Sequence, residues 1–203
     1  MLKKVLLMAA LALAMPLAAF ASGEVDFTNA GGTLMGSNSG LSLSGSALVI
    51  VNGFHGGGLI TGSNLGSVSF STGAVMSGSL AGSATFAPGG TFMITGNGAN
   101  GLPSGTVFTG TFTQASWSLN AASTSTHHLY DFTGTISGSF NNNYVTSGNI
   151  NFQIDMGKNT FNGQASLNSA DTSIMVPEPG TLSLFGTGIL ALAGILRKKM
   201  RAS

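Results

Sequence analysis

Charged residues and cysteine are what this sequence has least of. Only 6% of its 203 residues are charged, with 7 Lys and Arg and 6 Asp and Glu, whereas an ordinary soluble domain has about 25%. Cysteine is absent, which excludes disulfide scaffolds, thiolate zinc sites, iron–sulfur clusters and cysteine nucleophiles. The surface of a typical cytosolic enzyme is much more highly charged, so the composition argues against that class.

Small and hydroxylated residues are abundant instead. The chain contains 31 Gly, 26 Ser and 20 Thr, and these residues favour turns and strands over long helices. A chain of this length can form one domain, or two small ones, with a substantial core.

The basic residues are concentrated near the two ends of the sequence. Six of the seven are Lys3, Lys4, Arg197, Lys198, Lys199 and Arg201. Residues 22–176 contain five carboxylates and only Lys158, which gives this region a net charge of −4. Binding to nucleic acid requires clustered Lys and Arg that neutralise phosphates, so we expect no nucleic-acid partner.

The first 21 residues have the pattern of a cleaved secretory signal peptide. A basic segment, residues 1–4, precedes an apolar stretch, residues 5–17, and Ala19 and Ala21 occupy the two positions that signal peptidase recognises. We therefore predict cleavage after Ala21 by a signal peptidase. The alternative is an N-terminal anchor, but the apolar stretch falls short of the roughly 20 residues that span a bilayer.

The segment that begins at Val176 has three consecutive parts. Pro177, Glu178 and Pro179 come first, and the two prolines favour an extended backbone. An uncharged stretch, Thr181–Leu196, follows and covers about 24 Å as a helix, which is a short transmembrane span. The last part is a basic stop that should stay in the cytoplasm, formed by Arg197, Lys198, Lys199 and Arg201.

This three-part segment resembles a PEP-CTERM sorting signal over Val176–Arg201. In that family an exosortase, a multi-span, transpeptidase-like membrane enzyme, recognises the Pro-Glu-Pro segment, and the tail helix is removed as the protein passes to the surface or the extracellular matrix. The resemblance makes Pro177, Glu178 and Pro179 the recognised residues and Thr181–Leu196 a transient membrane anchor. It implies a Gram-negative-type bacterium, often one that makes exopolysaccharide, and it implies no activity for the middle of the chain.

The middle of the chain has the two-residue periodicity of β-strands. Ile150, Phe152, Ile154 and Met156 alternate with Asn149, Asn151, Gln153 and Asp155, so one face of this strand is apolar. The apolar positions that follow Gly157 predict a hairpin over residues 149–168. A second hairpin is predicted over residues 130–145, with its turn at three consecutive asparagines.

These patterns predict an all-β domain of about ten to fourteen short strands, arranged as an antiparallel β-sandwich or a curled sheet. We expect three regions: a signal peptide at residues 1–21, a Ser/Thr/Gly-rich β domain at 22–175, and a sorting signal with a transmembrane helix at 176–203. No helical period is convincing outside the two ends.

No group of residues makes a persuasive catalytic or metal site. His127 and His128 precede Asp131 closely, but adjacent residues on a strand point to opposite faces and do not easily share one ion. His55 lies in a glycine-rich segment without a paired ligand. The five carboxylates of residues 22–176 could form a glycosidase pair only by a coincidence of folding. We therefore expect no enzyme activity, no cofactor and no metal.

Trp117 is the one residue that suggests a sugar-stacking platform, but its alternation with Ala115 and Leu119 places it on an apolar face and favours the core. The function predicted from the sequence is that of an exported, non-enzymatic surface or matrix protein sorted by an exosortase. Association with exopolysaccharide or biofilm, or self-association through strand edges, is a further expectation. The alternative is a small secreted carbohydrate-binding module or carbohydrate-active enzyme.

Overall fold

The computed structural model describes residues 23–54, 57–141 and 144–176, and Glu24–Val176 forms one compact unit. Twelve strands lie in these ranges: β1 Gly23–Ala30, β2 Thr33–Ser37, β3 Gly40–Asn52, β4 Ile60–Ser71, β5 Val75–Gly78, β6 Ala84–Phe86, β7 Gly89–Asn97, β8 Ser104–Leu119, β9 Leu129–Phe140, β10 Tyr144–Asp155, β11 Gln164–Ser166 and β12 Ser169–Val176. A single turn of 3-10 helix, Ala99–Gly101, lies between β7 and β8.

Eight of these strands form a closed barrel. Their order around the ring is β1, β12, β10, β9, β8, β7, β4 and β3, and the pairing of β3 with β1 completes it. The remaining short strands extend the wall: β2 pairs with β3 beyond the part of β3 that contacts β1, and β6 pairs with β8 beyond β7. β11 pairs with β2, and β5 pairs with β6.

The prediction of an all-β fold is therefore confirmed, but the prediction of a β-sandwich is wrong. A sandwich stacks two separate sheets, whereas here the last strand, β12, lies between β10 and β1. The two edges of a single curled sheet thus meet. Each strand of the ring therefore has a neighbour on both sides. Among the described strands, β5 pairs only with β6 and β11 only with β2, so these two short strands keep one free edge each.

The β9–β10 hairpin is confirmed, with Phe140 opposite Tyr144. Asn141, the first residue of its turn, has a φ of 49°, in the left-handed region that asparagine tolerates. The hairpin predicted over residues 149–168 is wrong, because β10 pairs with β12 and β11 pairs with β2. The intervening segment instead buries Phe161 at one end of the barrel.

Aromatic side chains fill the interior. The Phe70 ring lies 5.4 Å from Phe132, 5.7 Å from Phe112 and 6.1 Å from Phe152, measured between centroids. An eight-stranded ring is just wide enough for side chains to fill it. The inward positions of the alternating strands therefore form one continuous core. The outward positions carry mainly Ser, Thr, Asn and Gln, together with a few exposed apolar side chains such as Met93, Leu119 and Met175.

The signal peptide predicted at residues 1–21 and the transmembrane span predicted at Thr181–Leu196 both fall outside the described ranges. Among the residues that the structure describes, no helix has the length and apolar character needed to cross a membrane.

Candidate functional site

A groove of about 670 Å³ crosses the outer face of β8, β9 and β10. Its polar lining includes Thr113, Gln114, Thr133, Thr135, Asn149 and Asn151, and Met76 and Pro88 contribute apolar surface. The outward positions of three strands supply these polar groups, because every second residue faces away from the core. The register of β8 shifts between Phe112 and Gln114, so the adjacent residues Thr113 and Gln114 are both exposed. The sequence shows the alternation, but only the pairing of the strands brings these residues together.

The hydroxyl groups in and beside this groove are bonded to one another across strands. Ser116 Oγ and Thr133 Oγ1 lie 2.7 Å apart, and Thr135 Oγ1 donates to Asn149 Oδ1 over 3.3 Å. The same pattern occurs on the β4–β7 pair, where Ser67 and Thr95 are 2.8 Å apart. On these exposed faces, hydrogen bonds between neutral side chains on neighbouring strands therefore take the place of cross-strand ion pairs.

Trp117 lies in the core, as the sequence predicts, and is only 1% exposed. Its indole stacks on Tyr130 at 4.9 Å and meets Phe161 at 5.1 Å, and Nε1 donates to the Leu80 carbonyl oxygen over 2.9 Å. The Tyr130 hydroxyl donates to the carbonyl oxygen of Ala81. Trp117 thus anchors the loop between β5 and β6 and is not a surface platform for sugars.

His127, His128 and Asp131 are not brought together around a common point. His127 Nδ1 lies 2.8 Å from Asp155 Oδ2, whereas His128 Nδ1 lies 3.1 Å from the Gly157 carbonyl oxygen. Asp131 accepts hydrogen bonds from the side-chain amides of Asn120 and Gln153. Within the described ranges, no group of three His, Cys, Asp or Glu residues is placed to hold a metal ion. His55 lies outside these ranges.

Asp155 is the titratable group whose environment is clearly perturbed. The backbone N–H of Gly157 donates to Oδ1 over 2.8 Å, and His127 contacts the other oxygen, so the pKa of the Asp155 carboxyl is held below its ordinary value of 3.8. Both contacts favour the ionised form because they place donors against the carboxylate. The contact with His127 also connects the end of β10 to the loop that precedes β9.

Acid should therefore weaken the attachment of this loop. A carboxyl group whose pKa is lower in the folded protein stabilises the fold above pH 3.8, and that contribution is lost as pH falls through the folded pKa. We expect an NMR titration of the Asp155 carboxyl to have its midpoint below 3.8, and Asp155→Asn to remove this part of the acid dependence of thermal unfolding. A midpoint at or above 3.8 would contradict the assigned contacts.

The last barrel strand leads directly into the segment that resembles a sorting signal. β12 is paired with β10, with Ser147 opposite Met175, and it buries Thr172 and Ile174. It ends at Val176, one residue beyond the predicted domain limit of 175. Pro177 is the next residue, so the motif follows the barrel wall without an intervening linker in the sequence.

The chain enters and leaves the barrel on neighbouring strands. β1 begins at Gly23 and lies beside β12. Ser173 Oγ donates to Glu24 Oε1, and Thr28 Oγ1 donates to Asp171 Oδ1 over 2.8 Å. The barrel is therefore closed by contacts between the strands that adjoin the two predicted processing segments.

These features define an all-β barrel whose closing strand adjoins a C-terminal targeting segment. Residues 176–199 match the family model of the PEP-CTERM protein-sorting motif. The chain therefore carries this motif, as its resemblance predicted, and the match begins at the last residue of β12. No curated protein and no solved structure matches the chain.

The predicted site residues at the two ends of the sequence lie outside the described ranges. Signal peptidase is predicted to recognise Ala19 and Ala21, and the exosortase is predicted to recognise Pro177, Glu178 and Pro179. The predicted basic stop consists of Arg197, Lys198, Lys199 and Arg201. Their roles stay predictions. No local pattern of residues singles out the groove, because its polar residues come from strands separated by loops.

Proposed function

We propose that this protein is an exported, non-enzymatic component of the cell surface or extracellular matrix that an exosortase delivers. The observation that carries the proposal is the PEP-CTERM motif at residues 176–199, which implies export and recognition by this membrane processing enzyme. The predicted signal peptide provides entry to the export route. The predicted span Thr181–Leu196 holds the protein in the membrane until it is processed.

The barrel is the delivered cargo. Its interior is packed with aromatic rings and its outer face carries neutral hydroxyl and amide groups. These groups support association with polysaccharide outside the cell, because they exchange hydrogen bonds with sugar hydroxyls without having to neutralise a charge. The same face supports the second candidate function, a secreted carbohydrate-binding module.

Fractionation and intact mass of the protein made by its host test the proposal. We expect a product that begins at or near Ser22, has lost Thr181–Leu196, and is found at the cell surface or in the medium. Retention of the first 20 residues on exported protein would contradict the signal peptide. A surface protein that retains the whole apolar stretch would show a permanent single-span anchor instead. Catalytic turnover abolished by one carboxylate substitution would overturn the non-enzymatic role.

A further inference from the structure

Two cross-strand rows of neutral side chains cross the groove on β8, β9 and β10. The first row is Gln114, Thr135 and Asn149, and the second is Ser116, Thr133 and Asn151. Neighbours within a row are about 4.8 Å apart, because this is the distance between paired strands. The rows therefore present hydrogen-bonding groups at regular intervals across the strands.

Three amides in these rows have unused hydrogen-bonding capacity. Within the part of the chain that the structure describes, the side chains of Gln114 and Asn151 make no hydrogen bond, and Asn149 only accepts one from Thr135. All three residues are exposed. A primary amide offers two donors and an acceptor, so these side chains can engage adjacent hydroxyl groups of a ligand.

The charges around the groove exclude an anionic ligand. Asp171 is opposite Asn151 on β12, and Asp131 lies on β9 two residues before Thr133. Lys158 is the single Lys or Arg in the described ranges and belongs to a loop beyond β10. A polymer with carboxylate or sulfate groups would meet like charges without a compensating cation.

The backbone pairing of β8, β9 and β10 excludes the addition of an extended peptide to these three strands. β8 pairs with β9 along one edge and with β6 and β7 along the other, and β10 lies between β9 and β12. Because the backbone of these three strands is already paired at the groove, an extended peptide cannot add to them. The open edge nearest the groove is that of β5, which among the described strands pairs only with β6. A ligand that lies on β8, β9 and β10 must be recognised by side chains.

We propose that this groove binds an uncharged, polyhydroxylated chain, a neutral glycan, laid across β8, β9 and β10. Successive sugar units exchange hydrogen bonds with Gln114, Asn149 and Asn151, while Met76 and Pro88 contact the apolar faces of the rings. The inference rests on the proposed function in that only an exported protein meets such polymers outside the cell. It deepens that function by naming the ligand class and the residues that bind it.

The test uses the protein isolated from its host in the form in which it accumulates, with a detergent that lacks a sugar headgroup if that form remains in the membrane. The probes are soluble oligosaccharides: neutral glucans and galactans, an oligouronate, and a cationic glucosamine oligomer. We expect a neutral oligosaccharide to bind and to shift the side-chain NH₂ signals of Gln114 and Asn151. Replacing both residues with alanine should weaken binding by about tenfold, because several hydrogen bonds to the ligand are lost together.

The matched control is the double variant Gln164→Ala and Asn168→Ala. These amides are also exposed and their side chains make no hydrogen bond in the described chain, but they lie on and after β11, away from the groove. Binding by this variant should equal that of the parent protein. Absence of binding to every neutral probe, stronger binding to the oligouronate or the glucosamine oligomer, or equal losses in both double variants would overturn the proposal.

Sorting and glycan binding are separable in this design. The groove variant should be exported and processed like the parent protein, because neither substitution touches the signal peptide or the sorting motif. A failure of binding with normal processing would overturn the glycan site alone. A failure of processing in the parent protein would overturn the proposed function and leave the binding measurement valid.

Discussion

Replacing Pro177, Glu178 and Pro179 together with alanine should leave export intact and trap nearly all of the protein in the membrane. The predicted signal peptide is unchanged, so the chain should still cross the membrane. The apolar stretch and the basic stop also remain, whereas the processing enzyme loses its recognition segment within the motif at residues 176–199. Membrane fractionation combined with the mass of the mature C-terminus measures the outcome.

Two further variants make this result specific. Replacing Thr124, Ser125 and Thr126 with alanine changes three exposed loop residues of the barrel and should leave processing unaffected. Deleting residues 181–203 should release unanchored protein, because no other stretch of the mature sequence approaches the length that spans a bilayer. If the triple-alanine motif variant is still processed near residue 178 at the normal rate, these residues are not the sorting signal.

Trp117→Ala should lower the free energy of unfolding by about 3–5 kcal/mol, the usual cost of deleting a large buried aromatic side chain. The substitution removes the stacking on Tyr130, the contact with Phe161 and the hydrogen bond to the Leu80 carbonyl oxygen. Chemical denaturation followed by far-ultraviolet circular dichroism measures the loss. Since Trp117 is the single tryptophan, the parent protein should also emit blue-shifted fluorescence that is poorly quenched.

Leu119→Ala is the control for position along the strand. Leu119 is 38% exposed and lies two residues beyond Trp117 on β8, so its replacement should cost about 1 kcal/mol or less. Trp117→Phe keeps a ring in the core and should fall between the two alanine variants. A neutral Trp117→Ala variant with red-shifted emission in the parent protein would contradict the buried position.

Local patterns predicted much of the secondary structure because alternation is a property of neighbouring residues. The inward positions Ile150, Phe152 and Ile154 are buried as expected, and Asn141 begins the predicted β9–β10 turn. The 149–168 hairpin failed for a physical reason. Alternation predicts a strand but not its partner, and burial of Phe161 beside Trp117 carries the chain past β10.

β1 and the strands near it were harder to predict because glycine divides them. Gly31 and Gly32 separate β1 from β2, with φ values of 69° and 102° that other residues rarely adopt. A Cβ on Gly32 would lie 2.9 Å from the Ser44 carbonyl oxygen. Glycine permits the chain to bend between β1 and β2. The presence of glycine does not by itself show that both of these strands pair with β3.

The amino-acid sequence was sufficient to predict strand content, the burial of Trp117 and the sorting motif, because each depends on residues close together in the chain. The tertiary structure decided between a sandwich and a barrel. Closure depends on contacts such as that between Thr28 and Asp171, which are 143 residues apart. The groove has the same origin, since the pairing of β8, β9 and β10 aligns Gln114 with Asn149 through Thr135. Alternation fixes which face a residue occupies, but only the register of paired strands determines which residues lie side by side.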